Sequence, residues 1–587
     1  MEPLHRVLAP AVVRWEGDRP YSVGFGDVYH GTDGAEEAER VFLEPARFDE
    51  RVAVAESFTV GELGFGLGRN FALAAERFLA RSAGRLHYVA FEQAPAGRED
   101  LERAARRSGW AMHRRLVDAL PPAIAGWHRR RFAGGRVLLS LYFGDVLAGL
   151  TDLTGRQGSG VDAWFFDGFA PRCNPEMWSA AVCDAAAALS QPGATVTTYS
   201  SAGVVKRALR QAGFIVRRVD QRPRKWHALV GVLPGSWSPR TMTHRPVSVV
   251  GAGFAGCAAA RALAERGFEV SVHDASVAAG ASAIPAAVVH PRLLGDGSGA
   301  ASLRAHGYGF AVHALAGLAG FRSTGALQLR GPDGDRSRLE RILPALPPDW
   351  IAPVSAREAS EIAGVEISAE GLHFPDAGLV DGPALCRALI DHRGIHLERG
   401  PPAGQVTVLA SASRITERFP ELEVAPLEGQ ADLFPGPKLR VPVLGDGYAA
   451  PAGSSGECWV GATYEYRRWE AGRATAANGE RFRRLFGQSP ATPLGVFRGT
   501  RAVTSDRLPV IGRADADTYV TAGHGSSGTT TAVFAGEWIA SLVAGECPPV
   551  TREVETLCRV ERFRERQLRR PNPFARRERQ ALSRRTS

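Results

Sequence analysis

The sequence predicts an α/β protein made of two successive units, each entered through a glycine-rich turn between a strand and a helix. Three observations carry that prediction. Short β-rich runs alternate with Ala-rich helical ones over roughly the first two hundred residues. A Pro/Ser/Gly-rich stretch, Leu233–Pro246, then interrupts the alternation, and a second glycine-rich turn follows it directly. At 587 residues the chain also exceeds what one hydrophobic core supports. The expected organisation is a first domain over 1–235, a linker over 236–246, a second domain over 247–555 and a basic tail over 556–587.

In the first domain the candidate strands are Ser57–Leu63, Leu86–Glu92, Val137–Phe143, Val161–Phe166, Thr195–Tyr199 and Phe214–Val219. Amphipathic segments such as Phe71–Leu79 and Ser179–Leu189 lie between several of them. Such alternation implies a largely parallel, doubly wound sheet. In the second domain Val247–Val250 reads as a buried strand, Cys257–Arg266 as an Ala-rich helix and Gly267–Asp274 as the next strand.

Composition narrows the class. The chain is 44% hydrophobic and 23% charged, as ordinary globular proteins are. No apolar run approaches the ~20 residues that cross a bilayer, and the first residues show no secretory pattern, so a cytoplasmic protein without a membrane partner is expected. Seven scattered cysteines with no C-x-x-C pair argue against a disulfide framework and a metal site. The net charge of +9 suits a polyanionic partner, although an arginine-biased composition produces the same number, since lysine occurs only at Lys206, Lys225 and Lys438. The tail is rich in arginine (Arg562, Arg564, Arg566, Arg569, Arg570, then Arg576, Arg577, Arg579) and reads equally as a phosphate-tracking segment or a solvated end.

The first turn, Glu62-Leu63-Gly64-Phe65-Gly66-Leu67-Gly68, follows an apolar strand and precedes a helix. Its glycines let backbone approach a ligand where a Cβ would collide. Glu92 ends the next strand, placed for the hydroxyls of a ribose, and Asp145 ends another, placed for the exocyclic amine of adenine. Loop, ribose acid and adenine acid at successive strand ends describe an S-adenosylmethionine (SAM) site better than a dinucleotide site. Asp167 follows the next strand, with Phe169, Pro171 and Trp178 close behind. That is where a methyl acceptor sits in such a sheet, and Asp167 is the candidate to orient an amine or take its proton; in isolation it reads equally as a helix cap.

These segments carry a resemblance. GELGFGLGRNF, FEQAP, LYFGD and DGFAPRCNPEMW, with FGDVYHGTDGAEEAERVFLEP upstream, resemble the methyltransferase half of the bacterial bifunctional enzymes that complete 5-methylaminomethyl-2-thiouridine in tRNA. Pro223–His227 falls where that family carries a basic loop. The resemblance implies a Rossmann-like SAM methyltransferase domain acting on the wobble uridine of the tRNA anticodon stem-loop, with Asp167 as catalytic residue and Phe169, Pro171 and Trp178 at the substrate.

The second turn, Gly251-Ala252-Gly253-Phe254-Ala255-Gly256, is a G-x-G-x-x-G at a strand end, and Asp274 follows at the distance of a ribose acid. A pyrophosphate would rest on the helix N-terminus. Arg498–Gly512 and the segment with Gly523, Gly525 and Gly528 resemble the closing motifs of D-amino-acid oxidase type flavoenzymes. This implies FAD, bound by a Rossmann-like part, and an antiparallel-sheet substrate part. Ser282, in the flavin-side loop Gly280–Pro291, is taken with the FAD contacts. The loop departs from the family's GASGN…GALYP by alanines for two glycines and by Ile284 for a polar residue. Arg501 is the candidate for a substrate carboxylate and Arg498 its alternative, each reading equally as a structural ion pair.

The resemblance implies two reactions in one chain. FAD-dependent oxidation removes the carboxymethyl group from 5-carboxymethylaminomethyl-(2-thio)uridine, releasing glyoxylate, and SAM-dependent N-methylation follows. Two other readings stand beside it: the same chemistry on a free small amine or N-substituted glycine, and a tRNA methyltransferase whose flavin domain is a scaffold.

Overall fold

The computed structural model describes residues 7–31, 34–156, 160–221, 225–242, 245–291, 298–330, 350–453 and 456–574. The chain forms two compact units. The first comprises Arg6–Thr243 together with Ala544–Arg552, and the second the remainder.

In the first unit a small antiparallel sheet of β1 (Val13–Glu16), β2 (Arg19–Ser22) and β3 (Asp27–Val28) precedes the main sheet. The main sheet contains β4 (Ser57–Leu63), β5 (Arg85–Glu92), β6 (Gly126–Phe132), β7 (Val137–Phe143), β8 (Val161–Phe166), β9 (Ser190–Thr198), β10 (Ile215–Gln221) and β11 (Lys225–Val232). Its order is β10-β11-β9-β8-β4-β5-β7-β6. The five central strands are parallel, and β6, β10 and β11 run antiparallel to their neighbours at the edges. Central strands buried on both faces are continuous apolar runs, and β8 (VDAWFF) is buried along its whole length. Its one charge, Asp162, accepts from the Thr59 amide at 2.7 Å and the Trp237 indole at 2.8 Å, and pairs with Arg240. Trp237 and Arg240, read from composition as linker, therefore fold as part of this unit.

The strand β6 was not anticipated. Its sequence, GWHRRRF, has no β pattern, yet His128, Arg129 and Arg130 are buried. His128 Nε2 bonds the Ile124 carbonyl at 2.7 Å, Arg130 Nε donates to Ala119 at 2.6 Å, and Arg129 reaches the Cys547 carbonyl. The segment Ala544–Arg552, expected in the second domain, supplies that last partner. It also supplies Glu546 for Arg85 and the Val550 carbonyl for Arg156.

In the second unit β12 (Val247–Val250) and β13 (Val270–His273) are neighbours in a six-stranded sheet. Five of its strands are parallel, and Val510–Arg513 runs antiparallel at one edge. The helix Phe254–Ala264 packs against the late helix Val533–Val543 so closely that a Cβ on Gly536 would lie 2.6 Å from the Ala258 carbonyl carbon. An eight-stranded, mostly antiparallel sheet forms the other layer, with Val424–Pro435 paired along Gly495–Thr504. The expected fold class, a Rossmann-like methyltransferase followed by a D-amino-acid oxidase type domain, is the one observed.

Candidate functional site

In the first unit the register decides what converges. Leu63, at the end of β4, pairs with Phe91 of β5 on one side and Phe166 of β8 on the other, and Glu92 pairs with Phe143 of β7. Gly64, Glu92, Gly144-Asp145 and Asp167 therefore emerge at one level along the carboxyl edge, where open α/β sheets bind ligands. They border a cavity of about 360 Å³.

Glycine is required at the turn. Gly64 has φ +87°, and a Cβ there would stand 2.5 Å from the Asp167 carbonyl oxygen. Gly66 has φ +52° and opens on the cavity beside Tyr29. Gly68 does not border the cavity; a Cβ there would strike Leu116 at 2.3 Å, so it serves packing. His113 braces the turn from beneath: Nε2 donates to the Leu67 carbonyl at 2.8 Å and Nδ1 accepts from the Ser108 hydroxyl at 2.9 Å. Burial lowers its pKa to about 4, so it is held neutral.

The acids are fixed by short bonds. Glu92 accepts from the Gly66 amide at 2.7 Å and the Ala94 amide at 2.8 Å, which leaves lone pairs for a diol. Asp145 caps the helix Val146–Leu153 through the Ala148 amide at 2.8 Å while bordering the cavity. Asn70, which sequence reasoning passed over, donates from Nδ2 to Glu62 at 2.8 Å and to Asp167 at 2.7 Å. Glu62 itself lies behind the cavity wall, fully buried, rather than at its surface. Burial, and then Asp167, hold its carboxyl well above the usual range, partly offset by Asn70 and Tyr88.

The acceptor side is built by the Asp167–Ala170 segment. Asp27, just before Val28 at the end of the small sheet, accepts from the Ala170 amide at 2.8 Å, and the Tyr199 hydroxyl donates to the Gly168 carbonyl at 2.7 Å. Phe169 borders the cavity and stacks on Phe25 at 4.7 Å between centroids, with Tyr29 edge-on at 5.1 Å. Trp178, expected at the substrate, is only 1% exposed and stands outside the lining. Its indole N–H donates to the Phe169 carbonyl at 2.8 Å, so it supports the segment from behind. Pro171 also stands outside the lining.

In the second unit Gly253 is the N-cap of Phe254–Ala264. Gly251 has φ +111°, with a would-be Cβ 2.5 Å from the Ala410 oxygen, and a Cβ on Gly256 would fall 1.8 Å from the Gly251 oxygen. Neither position tolerates a side chain, and the resulting close turn is what a pyrophosphate cradle needs. Asp274 accepts from the Ala252 amide at 2.8 Å, and the Ser282 hydroxyl accepts from the Phe254 amide at 3.1 Å, tying the Gly280–Ala283 turn to the start of the helix.

Strand Gly495–Thr504 packs on that turn, a Cβ on Gly499 falling 3.1 Å from the Ala281 Cα. His524 forms a bridge with Val503, and the Gly523–Gly528 segment runs through a short wide turn into Val533–Val543. Arg501 donates to the Thr463 carbonyl at 3.2 Å and lies 5.0 Å above the Tyr464 ring, whose hydroxyl bonds Ser526 at 2.9 Å. Tyr448, also unanticipated, has a buried hydroxyl with no partner among the described residues, and burial pushes its pKa up to about 12, against the opposing pull of Arg501. Arg498 is occupied differently: it donates to Gln430 at 2.7 Å and forms an ion pair with the buried Glu465.

Several of the described tail arginines are also occupied. Arg562 and Arg566 pair with Asp506, and Arg564 with Glu421. Arg576, Arg577, Arg579 and the Pro223-Arg224 part of the expected basic loop lie outside the described residues. Among those described, no helix is long and apolar enough to cross a membrane.

Residues 109–234 match the family described as S-adenosyl-L-methionine-dependent methyltransferase, and residues 246–398 and 405–542 that described as FAD dependent oxidoreductase. Over nearly its whole length the chain is similar to the tRNA 5-methylaminomethyl-2-thiouridine biosynthesis bifunctional protein MnmC. It is 33% identical to that of Chromobacterium violaceum, over 94% of this chain and 97% of the relative. With that of Ectopseudomonas mendocina it shares 34% over the same fractions. The chain belongs to the MnmC family. Among solved structures it is similar to iminodiacetate oxidase from Chelativorans sp. BNC1, with 23% identity, a TM-score of 0.45, and coverage of 52% of this chain and 96% of that one. As an MnmC family member it is a two-domain enzyme using SAM in the first unit and FAD in the second. The tight turns, strand-end acids and buried polar groups described above fit those two cofactors.

Proposed function

We propose that this protein performs both closing steps of wobble-uridine modification in cytoplasmic tRNA. The first removes the carboxymethyl group of 5-carboxymethylaminomethyl-(2-thio)uridine; the second methylates the amine so exposed. The observation that carries the reading is the full-length similarity to bifunctional relatives together with both sets of cofactor-side geometry in one chain.

Bound FAD supplies a two-electron acceptor and bound SAM a methyl donor. The rest falls to the chain. In the second unit Arg501, set against Tyr464 and near Tyr448, holds the substrate carboxylate by a charge-assisted bond, which leaves Arg498 to its ion pair with Glu465. Oxidation of the CH–NH bond and hydrolysis of the imine release glyoxylate and leave a primary amine. In the first unit Phe169 and Phe25 offer ring faces to a splayed-out base. Asp167, held on one oxygen by Asn70, orients the amine with the other and takes its proton.

Nucleoside mass analysis of tRNA treated with the flavin-loaded protein tests this. Without SAM the carboxymethyl nucleoside should become the aminomethyl form, and with SAM it should gain one methyl group. If neither change appears, the tRNA assignment is overturned. Methylation of an aminomethyl tRNA without any loss of carboxymethyl overturns the oxidative half alone.

A further inference from the structure

Acids dominate the cavity of the first unit: Asp27, Glu37, Glu92, Asp145 and Asp167 all border it. Against them stands one half-buried cation. Arg69 opens the thirteen-residue helix Arg69–Arg81 directly after Gly68, and its side chain lines the cavity. Its Nε and Nη1 are both buried and donate to no acceptor among the described residues. Asp167, which lines the same cavity, already accepts from Asn70 on Oδ2 at 2.7 Å. The other arginines of the lining, Arg19 and Arg172, are exposed. His30 is held neutral, because burial and the Arg69 charge bring it to about 4.

A buried guanidinium with idle donors is costly, and a ligand bringing the matching anion removes that cost. SAM carries a sulfonium, an α-ammonium and a single anion, its α-carboxylate. On the SAM reading Asp145 takes adenine and Glu92 ribose, and Arg69, directly after the Gly64–Gly68 turn in the chain, borders the same cavity and is left to the amino-acid end. The N-terminus of a long helix adds partial positive charge at the same point. We propose that Arg69 binds the α-carboxylate of the methionine moiety of SAM through its guanidinium. This rests on the SAM reading of the cavity.

The test is calorimetric titration of the full-length protein with S-adenosylhomocysteine and with 5′-methylthioadenosine, which keeps the adenosine and thioether but lacks the amino-acid end. Wild type should prefer the former. Arg69→Met should weaken S-adenosylhomocysteine roughly 10- to 100-fold and leave 5′-methylthioadenosine within about twofold, since no charge-assisted bond is lost with it. Arg69→Lys should recover part of the difference. Equal weakening of both ligands, an unchanged affinity for S-adenosylhomocysteine, or a wild type indifferent between the two overturns the assignment, the last without need of any variant. A wild type that binds neither ligand overturns the underlying SAM reading instead.

Discussion

Asn70 lies between two carboxyl groups, and its amide decides what each can do. Burial and the neighbouring Asp167 push the Glu62 carboxyl above the usual range, while Asp167 borders the cavity and accepts from Asn70 on one oxygen. Asn70→Leu removes both donors with little change in volume. The methylation kcat should fall about 100-fold, as expected for a misplaced general base, while S-adenosylhomocysteine affinity changes much less; a variant that loses affinity but keeps kcat would contradict the positioning role. His113 bears on the same turn through pH. Its folded pKa of about 4 lies below the ordinary 6.5, so between these values the unfolded chain binds more protons. Its contribution is present above pH 6.5 and is lost as pH falls through about 4. The first unit should therefore melt at progressively lower temperature across that window, and His113→Gln should flatten the slope in a pH series of calorimetric scans.

At the scale of elements, the segment Ala544–Arg552 shows why β6 is a strand despite its arginines. Burying Arg129 and Arg156 is tolerable because the Cys547 and Val550 carbonyls accept from them, and Asp152 accepts from Arg156 and from the Arg552 amide. A fragment of residues 1–243 should thus be destabilised by several kcal/mol, on the order of 3–5 for buried charges left without partners. Adding a 544–552 peptide in trans should raise its melting temperature, and no response to the peptide would count against this account. The helix Glu561–Gln567 behaves similarly in the second unit. Burial alone would raise the Asp506 pKa, but Arg562 and Arg566 outweigh it and hold the carboxyl below its ordinary value. That stability is present above the unfolded carboxylate range and lost as pH falls through the depressed value. Asp506→Asn should cost roughly 2–3 kcal/mol, less than a fully buried pair. Removing Arg562 and Arg566 should lower the melting temperature and leave the salt dependence of tRNA binding unchanged, because these arginines are already paired.

For the whole molecule, chain order and spatial order differ. The polypeptide builds most of the first unit, then most of the second, returns for nine residues to the first and ends in the second. Composition marks a boundary where the chain changes character, as at Leu233–Pro246; in Ala544–Arg552 Gly545, Pro548 and Pro549 mark a loop but not the unit it joins. Local sequence likewise presents Arg498 and Arg501 as equals three positions apart on one strand. Only the side chains brought beside them separate them, because Glu465 is buried beside the first and Tyr464 is exposed beside the second. Trp178 illustrates the opposite error: an aromatic residue near a strand-end acid looks like a substrate contact until packing turns it inward.

What the sequence determined by itself is local and periodic: the apolar strands, the two glycine turns whose backbone angles exclude a Cβ, and the acids spaced one strand apart. Those features follow from near-neighbour sterics and side-chain alternation, and they pointed to two nucleotide cofactors, while the family was read from the resemblance of motifs such as DGFAPRCNPEMW. The tertiary structure alone decided which polar groups are satisfied and which are left idle. Asn70 joined to Asp167, Arg498 taken by Glu465 and Arg69 left with open donors all depend on partners brought from distant positions. Burial makes those pairings energetically decisive, and no local pattern records them.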